Sequence, residues 1–189
     1  MAEKKNESRG EAKPEKLLLR KYVFEGRAMK VRVDTVLAGD GRRSTREVVE
    51  RNDCVAVVAL DTEGNVLLVN QFRTPLWKNL LEIPAGGIEK RETAEAAVER
   101  EMQEETGFKP GKMVRLCGFF FSPGYSNEYC HLYLATDLKE SRLQAEDTAT
   151  IELVKMPVGE IVSAIASGKI QDGKTIAGLM YYLEWKRTQ

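Results

Sequence analysis

The chain has little of what proton-transfer triads and covalent cross-links require. It holds one histidine and three cysteines in 189 residues. The histidine, His131, stands in "EYCHLYLA", an alternating stretch that predicts a strand carrying a packed or half-exposed ring. That speaks against a serine or cysteine nucleophile activated by a histidine base. Cys54, Cys117 and Cys130 are scattered in apolar settings such as "NDCVAVV" and "RLCGFFF". They read as reduced, buried thiols of a cytoplasmic protein rather than as metal or redox centres. Excess charge is also missing: Lys plus Arg and Asp plus Glu are 29 each. Nothing in that balance points to nucleic acid or a membrane, and neither partner is expected. No apolar run approaches the roughly 20 residues of a membrane span. The start, "MAEKKNESRGEAKPEK", has no apolar signal-like stretch, so residues 1–16 read as a disordered polar lead.

What is present fits one well-buried core, with 42% apolar and 31% charged residues. "KLLLRKYVFEG", "AMKVRVDTVLAG" and "TREVVER" predict three strands of a meander. "DCVAVVALD" and "VLLVNQFRT" flank "TEGN" and predict a hairpin with a Gly-Asn turn. "KNLLEIPAGG" reads as a short strand stopped by Pro84 and the glycines. Thr93 opens a predicted helix through Met102, closed by Gly107. "KMVRLCGFFFS", "EYCHLYLATDL" and "TIELVKMP" give further strands, and the tail gives two helices broken near Gly168 and Gly173. This order predicts helices flanking a mixed sheet, an α/β arrangement.

The predicted middle helix is crowded with acid. At helical spacing Glu101, Glu104 and Glu105 project from one side within about 6 Å of each other, a repulsive arrangement. Arg100, four residues before Glu104, is placed to brace that carboxylate. Two readings are open: a solvated charged face, the common use of glutamate runs, or carboxylates gathered around a cation. Hard oxygen ligands would favour magnesium or manganese. Upstream, "PAGGIE" permits a sharp bend that would loop the chain over the helix and aim the Ala85 carbonyl at the same cation. A diphosphate ligand would account for both the metal and the open loop.

From Gly86 onward the segment resembles the signature of the Nudix hydrolases. The matching residues are Gly86, Glu92, Arg100, Glu101, Met102, Glu104, Glu105, Gly107 and Phe108, without departure. Seven fixed identities at about 7% each over ~170 windows put a chance match near 10⁻⁶, which sets the solvated-face reading aside. The resemblance implies a Nudix fold, an α/β/α sandwich with a mixed sheet, and hydrolysis of a nucleoside diphosphate linked to another group. It implies that Glu101, Glu104, Glu105 and the Ala85 carbonyl hold metal, that Arg100 orients the glutamates, and that Glu92 stabilises loop and helix.

From about Leu17 to Trp185 the chain is similar to the ADP-ribose pyrophosphatase branch, through "NQFR", "LEIPAGGIE", "FFFSPGYSNE" and "IQDGKTIAGL". The branch implies ADP-ribose as substrate, with AMP and ribose 5-phosphate as products. It implies Arg73 on the phosphates, and Gly87 and Ser122 lining the site. Arg46, Glu47 and Arg51 of "REVVER" stand where relatives contact adenine and phosphates, although a solvated strand edge is the other reading. Glu82 and Glu128 are candidate supporting acids. One departure is Ala149, where relatives carry the glutamate used as general base or extra ligand. Glu146 or Asp147 would then supply the base, with Glu146 preferred, or Glu104 or Glu105 would assist. The implied organisation is a lead over 1–16, antiparallel strands over 17–52 that build a homodimer, and a Nudix domain over 53–189. GDP-mannose is the rival substrate, and a non-catalytic ADP-ribose sensor the rival class.

Overall fold

The computed structural model describes residues 14–144 and 150–189. The chain divides into two compact units. The first runs up to Arg51 and includes Gly124–Asn127; the second comprises Asn52–Pro123 and Glu128–Gln189.

The first unit is the predicted meander: β1 (Lys16–Glu25), β2 (Lys30–Leu37) and β3 (Arg43–Glu50), antiparallel in that order. The loop residues Gly124–Asn127 fasten to β3. Val49 N–H donates to the Tyr125 carbonyl at 2.8 Å, and Asn127 brackets the Arg51 backbone at 3.0 and 3.2 Å. Asp34, buried on β2, is held by Arg20 and Arg32. β1 is exposed along its length, leaving Leu17, Leu19, Val23 and Phe24 between 47% and 63% accessible.

The second unit is built on a seven-stranded mixed sheet of core order β12-β5-β4-β10-β9. Its strands are β4 (Cys54–Leu60), β5 (Asn65–Arg73), β6 (Lys78–Glu82), β7 (Ala85–Gly87), β9 (Lys112–Phe120), β10 (Tyr129–Thr136) and β12 (Glu152–Pro157). Only β4 and β10 pair in parallel. A separate two-stranded ribbon joins β8 (Phe108–Lys109) to β11 (Lys139–Glu140). Both faces of β4 are covered, which explains its unbroken apolar sequence. Val55, Val57 and Ala59 pack with Ala97, Val98 and Met102 beneath α1 (Ala94–Glu101). Cys54, Ala56 and Val58 pack on the other side with Ile161, Ala164, Leu179 and Tyr182 from α2 (Ile161–Ala166) and α3 (Gly173–Arg187). The period-2 alternation of a strand thus feeds two cores, giving the expected sandwich.

Two expectations need correction. The "PAGG" segment is not an open loop. After Ile83 and Pro84 the chain re-enters the sheet as β7, pairing with Cys54–Ala56. Because β7 occupies that stretch of β4, the β4–β5 hairpin pairs only at Ala59–Leu67 and Leu60–Val66, and β5 turns to β6 and β12. The middle helix is also not uniformly α. Thr93 caps it by accepting from the Ala96 N–H, but after Glu101 it widens into a π turn, Met102–Thr106, before Gly107 ends it at φ 82°. A π turn inserts extra backbone per turn, so residues beyond it leave the α-helical face.

Candidate active site

Arg100 is the hub of the acidic segment. Its Nε donates to Glu92 Oε1 at 2.9 Å and Nη1 to Glu101 Oε1 at 2.6 Å. Nη1 also reaches Glu104 Oε2 at 3.2 Å, while Nη2 reaches Glu92 Oε2 at 3.0 Å and the Gly87 carbonyl at 2.9 Å. A planar guanidinium suits this divergent set of acceptors better than an ammonium would. Glu92 accepts in addition from the Glu89 N–H at 2.8 Å, so it ties the loop to the helix, the place the Nudix resemblance gave it. The Arg100 hydrogen bonds hold its carboxyl below the usual range.

Glu105 engages β7 instead of Arg100. It lies buried in the π turn, and its Oε2 accepts from the Ala85 N–H at 3.0 Å. Burial pushes its carboxyl up to about 8, only partly opposed by that N–H and further raised by the charge of Glu101. Glu101 is raised by burial as well, against the pull of Arg100. Glu101 and Glu105 are thus both desolvated beside β7, Glu101 at Gly86 and Glu105 at Ala85, while Glu104 rests on Arg100. Gly86 makes this possible: a methyl group there would collide with the Glu101 carboxylate.

Whether these residues suit a divalent cation is a question of donor chemistry. Among the described residues, no three histidine, cysteine, aspartate or glutamate side chains converge closely enough to cage a metal. Magnesium does not need such a cage, since one or two carboxylates plus waters and substrate phosphates commonly hold it. Glu101 and Glu105 supply that pair, and the cost of keeping both ionised and desolvated would fall with a cation beside them. The donor set fits.

Arg73, on β5, forks onto Glu82 of β6 through Nε and Nη2, both at 2.6 Å. Glu82 is 1% exposed and also contacts the Lys174 ammonium. Lys174 bonds Asp172 at 3.0 Å, Asp172 caps α3, and Thr175 Oγ1 accepts from the Ile83 N–H at 2.9 Å. Lys174, Asp172 and Thr175 escaped the sequence reading. Their signal was the Asp-x-x-Thr start of a helix in "IQDGKTIAGL", a capping pattern whose partners cannot be read locally.

The other expected residues are dispersed. Gly87 lies beside the hub through its carbonyl. Ser122 sits in the loop after β9, half-buried. Arg46 and Glu47 are exposed on β3 of the first unit, with Arg51 just beyond it; Arg46 bonds Ser44 at 2.9 Å and pairs with Glu15. Glu128 directly precedes β10 and has partners of its own. Glu146, Asp147 and Ala149 lie outside the described residues. His131 is half-buried against Tyr129, Arg115 and Asp53, with no glutamate of the hub in contact.

A family model described as NUDIX domain matches residues 50–179. A methanol dehydrogenase activator from Bacillus methanolicus is 36% identical over 169 residues, spanning 88% of this chain and 91% of that protein. An ADP-ribose pyrophosphatase from Bacillus subtilis (strain 168) is 32% identical over 169 residues, with the same coverage of 88% and 91%. The solved structure of an ADP compounds hydrolase has the same fold, with a TM-score of 0.86 at 19% identity over 94% of this chain and 97% of that one. With the signature glutamates gathered around Arg100 and β7, and a family model matching residues 50–179, this protein belongs to the Nudix family.

Proposed function

We propose that the protein is a hydrolase that cleaves ADP-ribose with water, giving AMP and ribose 5-phosphate, with magnesium or manganese as cofactor. The observation that carries this reading is the pair of buried carboxylates set against β7, Glu101 at Gly86 and Glu105 on the Ala85 N–H. The relative named as an ADP-ribose pyrophosphatase supplies the substrate.

Glu101, Glu105 and the Ala85 carbonyl would hold the cation, with Glu104 released from Arg100 to join them. When bound, the cation neutralises the diphosphate and acidifies the attacking water. Arg100 keeps Glu101 aimed and shares its charge with Glu92 and Glu104. Arg73 meets the phosphate oxygens with the part of its guanidinium outside the Glu82 fork. Gly87 and Ser122 line the pocket. Glu146 takes the proton of the attacking water, or Glu104 does so in its place.

The exposed apolar side chains of β1 support a homodimer formed through residues 17–52, with Arg46, Glu47 and Arg51 then reaching adenine and phosphates. Among the described residues no helix is long and apolar enough to cross a membrane, and the cysteines are unpaired. The free thiols suit the proposed cytoplasmic setting.

The test is AMP release from ADP-ribose by purified protein with magnesium, run beside GDP-mannose. Faster cleavage of GDP-mannose would move the substrate assignment. Binding of ADP-ribose without release of AMP would identify a sensor and end the enzymatic reading.

A further inference from the structure

The Arg73 network contains a cation that the proposed reaction does not use. Glu82, Lys174 and Asp172 have side chains 2%, 9% and 18% exposed, while Arg73 is 38% exposed at the end of the chain of contacts. Glu82 with Arg73 alone would make a neutral, closed pair. Lys174 meets the same carboxylate, so the three sum to one positive charge. Asp172 brings the formal sum to zero, but its carboxylate is directed at the N-terminus of a 15-residue helix, accepting from Thr175 N–H at 2.9 Å and Oγ1 at 2.6 Å. The helix dipole offsets part of that charge. The fork onto Glu82 uses Nε and Nη2 and leaves Nη1 outside it. Lys174 comes from α3, 92 residues away in sequence, and the same helix turn holds the Ile83 N–H through Thr175. Ile83 lies two residues before Ala85, whose N–H holds Glu105.

We infer that Lys174 is a positioning residue: by sharing the buried Glu82 carboxylate it keeps Arg73 in register and electrostatically available to an anionic substrate. This rests on the reading of Arg73 as a phosphate contact. Without the Lys174 charge, Glu82 draws fully on Arg73, and the guanidinium is lost to the ligand as if it had been removed.

Steady-state hydrolysis of ADP-ribose with magnesium by Lys174→Met, Lys174→Arg, Arg73→Gln and the double variant Arg73→Gln/Lys174→Met tests this, with melting curves for each. Lys174→Met should raise KM about 10-fold and leave kcat within about threefold, and Lys174→Arg should recover most of the loss. The double variant should be no worse than Arg73→Gln, because the lysine acts through the arginine. Independent, multiplying penalties overturn the inference, as does a fall in kcat at unchanged KM. If Lys174→Met does not fold, Lys174→Gln replaces it; failure of that variant to fold assigns the lysine to stability alone and also overturns it. Wild-type protein that releases no AMP sinks the enzymatic reading separately, and the same cycle is then scored by equilibrium binding of ADP-ribose. Absence of binding by wild type overturns both.

Discussion

Two clusters of charge face each other in composition. Around Arg100, three carboxylates share one guanidinium, and the buried Glu105 adds a fourth acid nearby. Around Glu82, two cations meet two carboxylates, and a helix N-terminus takes up one of the acids. The first is short of positive charge and the second is not. A folded protein tolerates such a shortage where something else brings the missing charge, so the unbalanced cluster suits the proposed cation and the balanced one suits holding Arg73 for the proposed phosphate contact.

The largest expected effect comes from removing an acid of the unbalanced cluster. Glu105→Gln should lower turnover of ADP-ribose by at least ~100-fold while the circular dichroism spectrum stays native. The substitution replaces an already desolvated group with a neutral isostere, so the fold has little to lose. Undiminished turnover would mean that the shortage of charge is incidental.

Gly86→Ala comes next. The added methyl must displace the Glu101 carboxylate, and a shift near 1 Å should cost roughly 10- to 100-fold in kcat/KM. Unchanged kinetics would show that Glu101 need not sit against β7.

Arg100→Met sharpens the contrast through stability. It should cost about 2 kcal/mol in denaturant unfolding, less than a fully buried pair because 22% of the side chain is exposed. Magnesium should restore part of that loss by binding the native state. The melting temperature of Lys174→Met should gain no more from magnesium than wild type does.

How much of this could be read in advance follows from sequence distance. The hub lies within thirteen residues of Arg100: helix periodicity put Arg100, Glu101 and Glu104 together, while Glu92 and Gly87 came only from the Nudix resemblance. The π turn was hidden because local periodicity continues as α through it, and the contact that accompanies it, Ala85 with Glu105, spans 20 residues. The return of Ala85–Gly87 to the sheet was hidden for a similar reason. Pro84 and two glycines read locally as a stop, but pairing with Cys54–Ala56 supplies backbone partners that local propensity cannot anticipate. Lys174 and Glu82 are 92 residues apart, and neither stands in a pattern that names the other.

The smallest effect belongs to the β4–β5 turn, remote from both clusters. Burial alone would raise the Asp61 carboxyl, but the Asn65 side chain and backbone N–H outweigh it and hold it near 2, below its ordinary 3.8. Asp61→Asn should cost roughly 1 kcal/mol at neutral pH and leave catalysis alone. Because the folded value is the lower one, the gap between wild type and variant should be full above about pH 4 and close as pH falls toward 2. Denaturant unfolding at pH 7, 5 and 3 measures it, and a gap that widens on acidification would contradict the assignment.

The most direct measurement is manganese binding by electron paramagnetic resonance in the presence of a non-hydrolysable ADP-ribose analogue. Wild-type protein should capture the ion, and Glu101→Gln/Glu105→Gln, folded by circular dichroism, should leave it in solution. Equal capture by both proteins would contradict the claim that these two buried carboxylates exist to hold a cation.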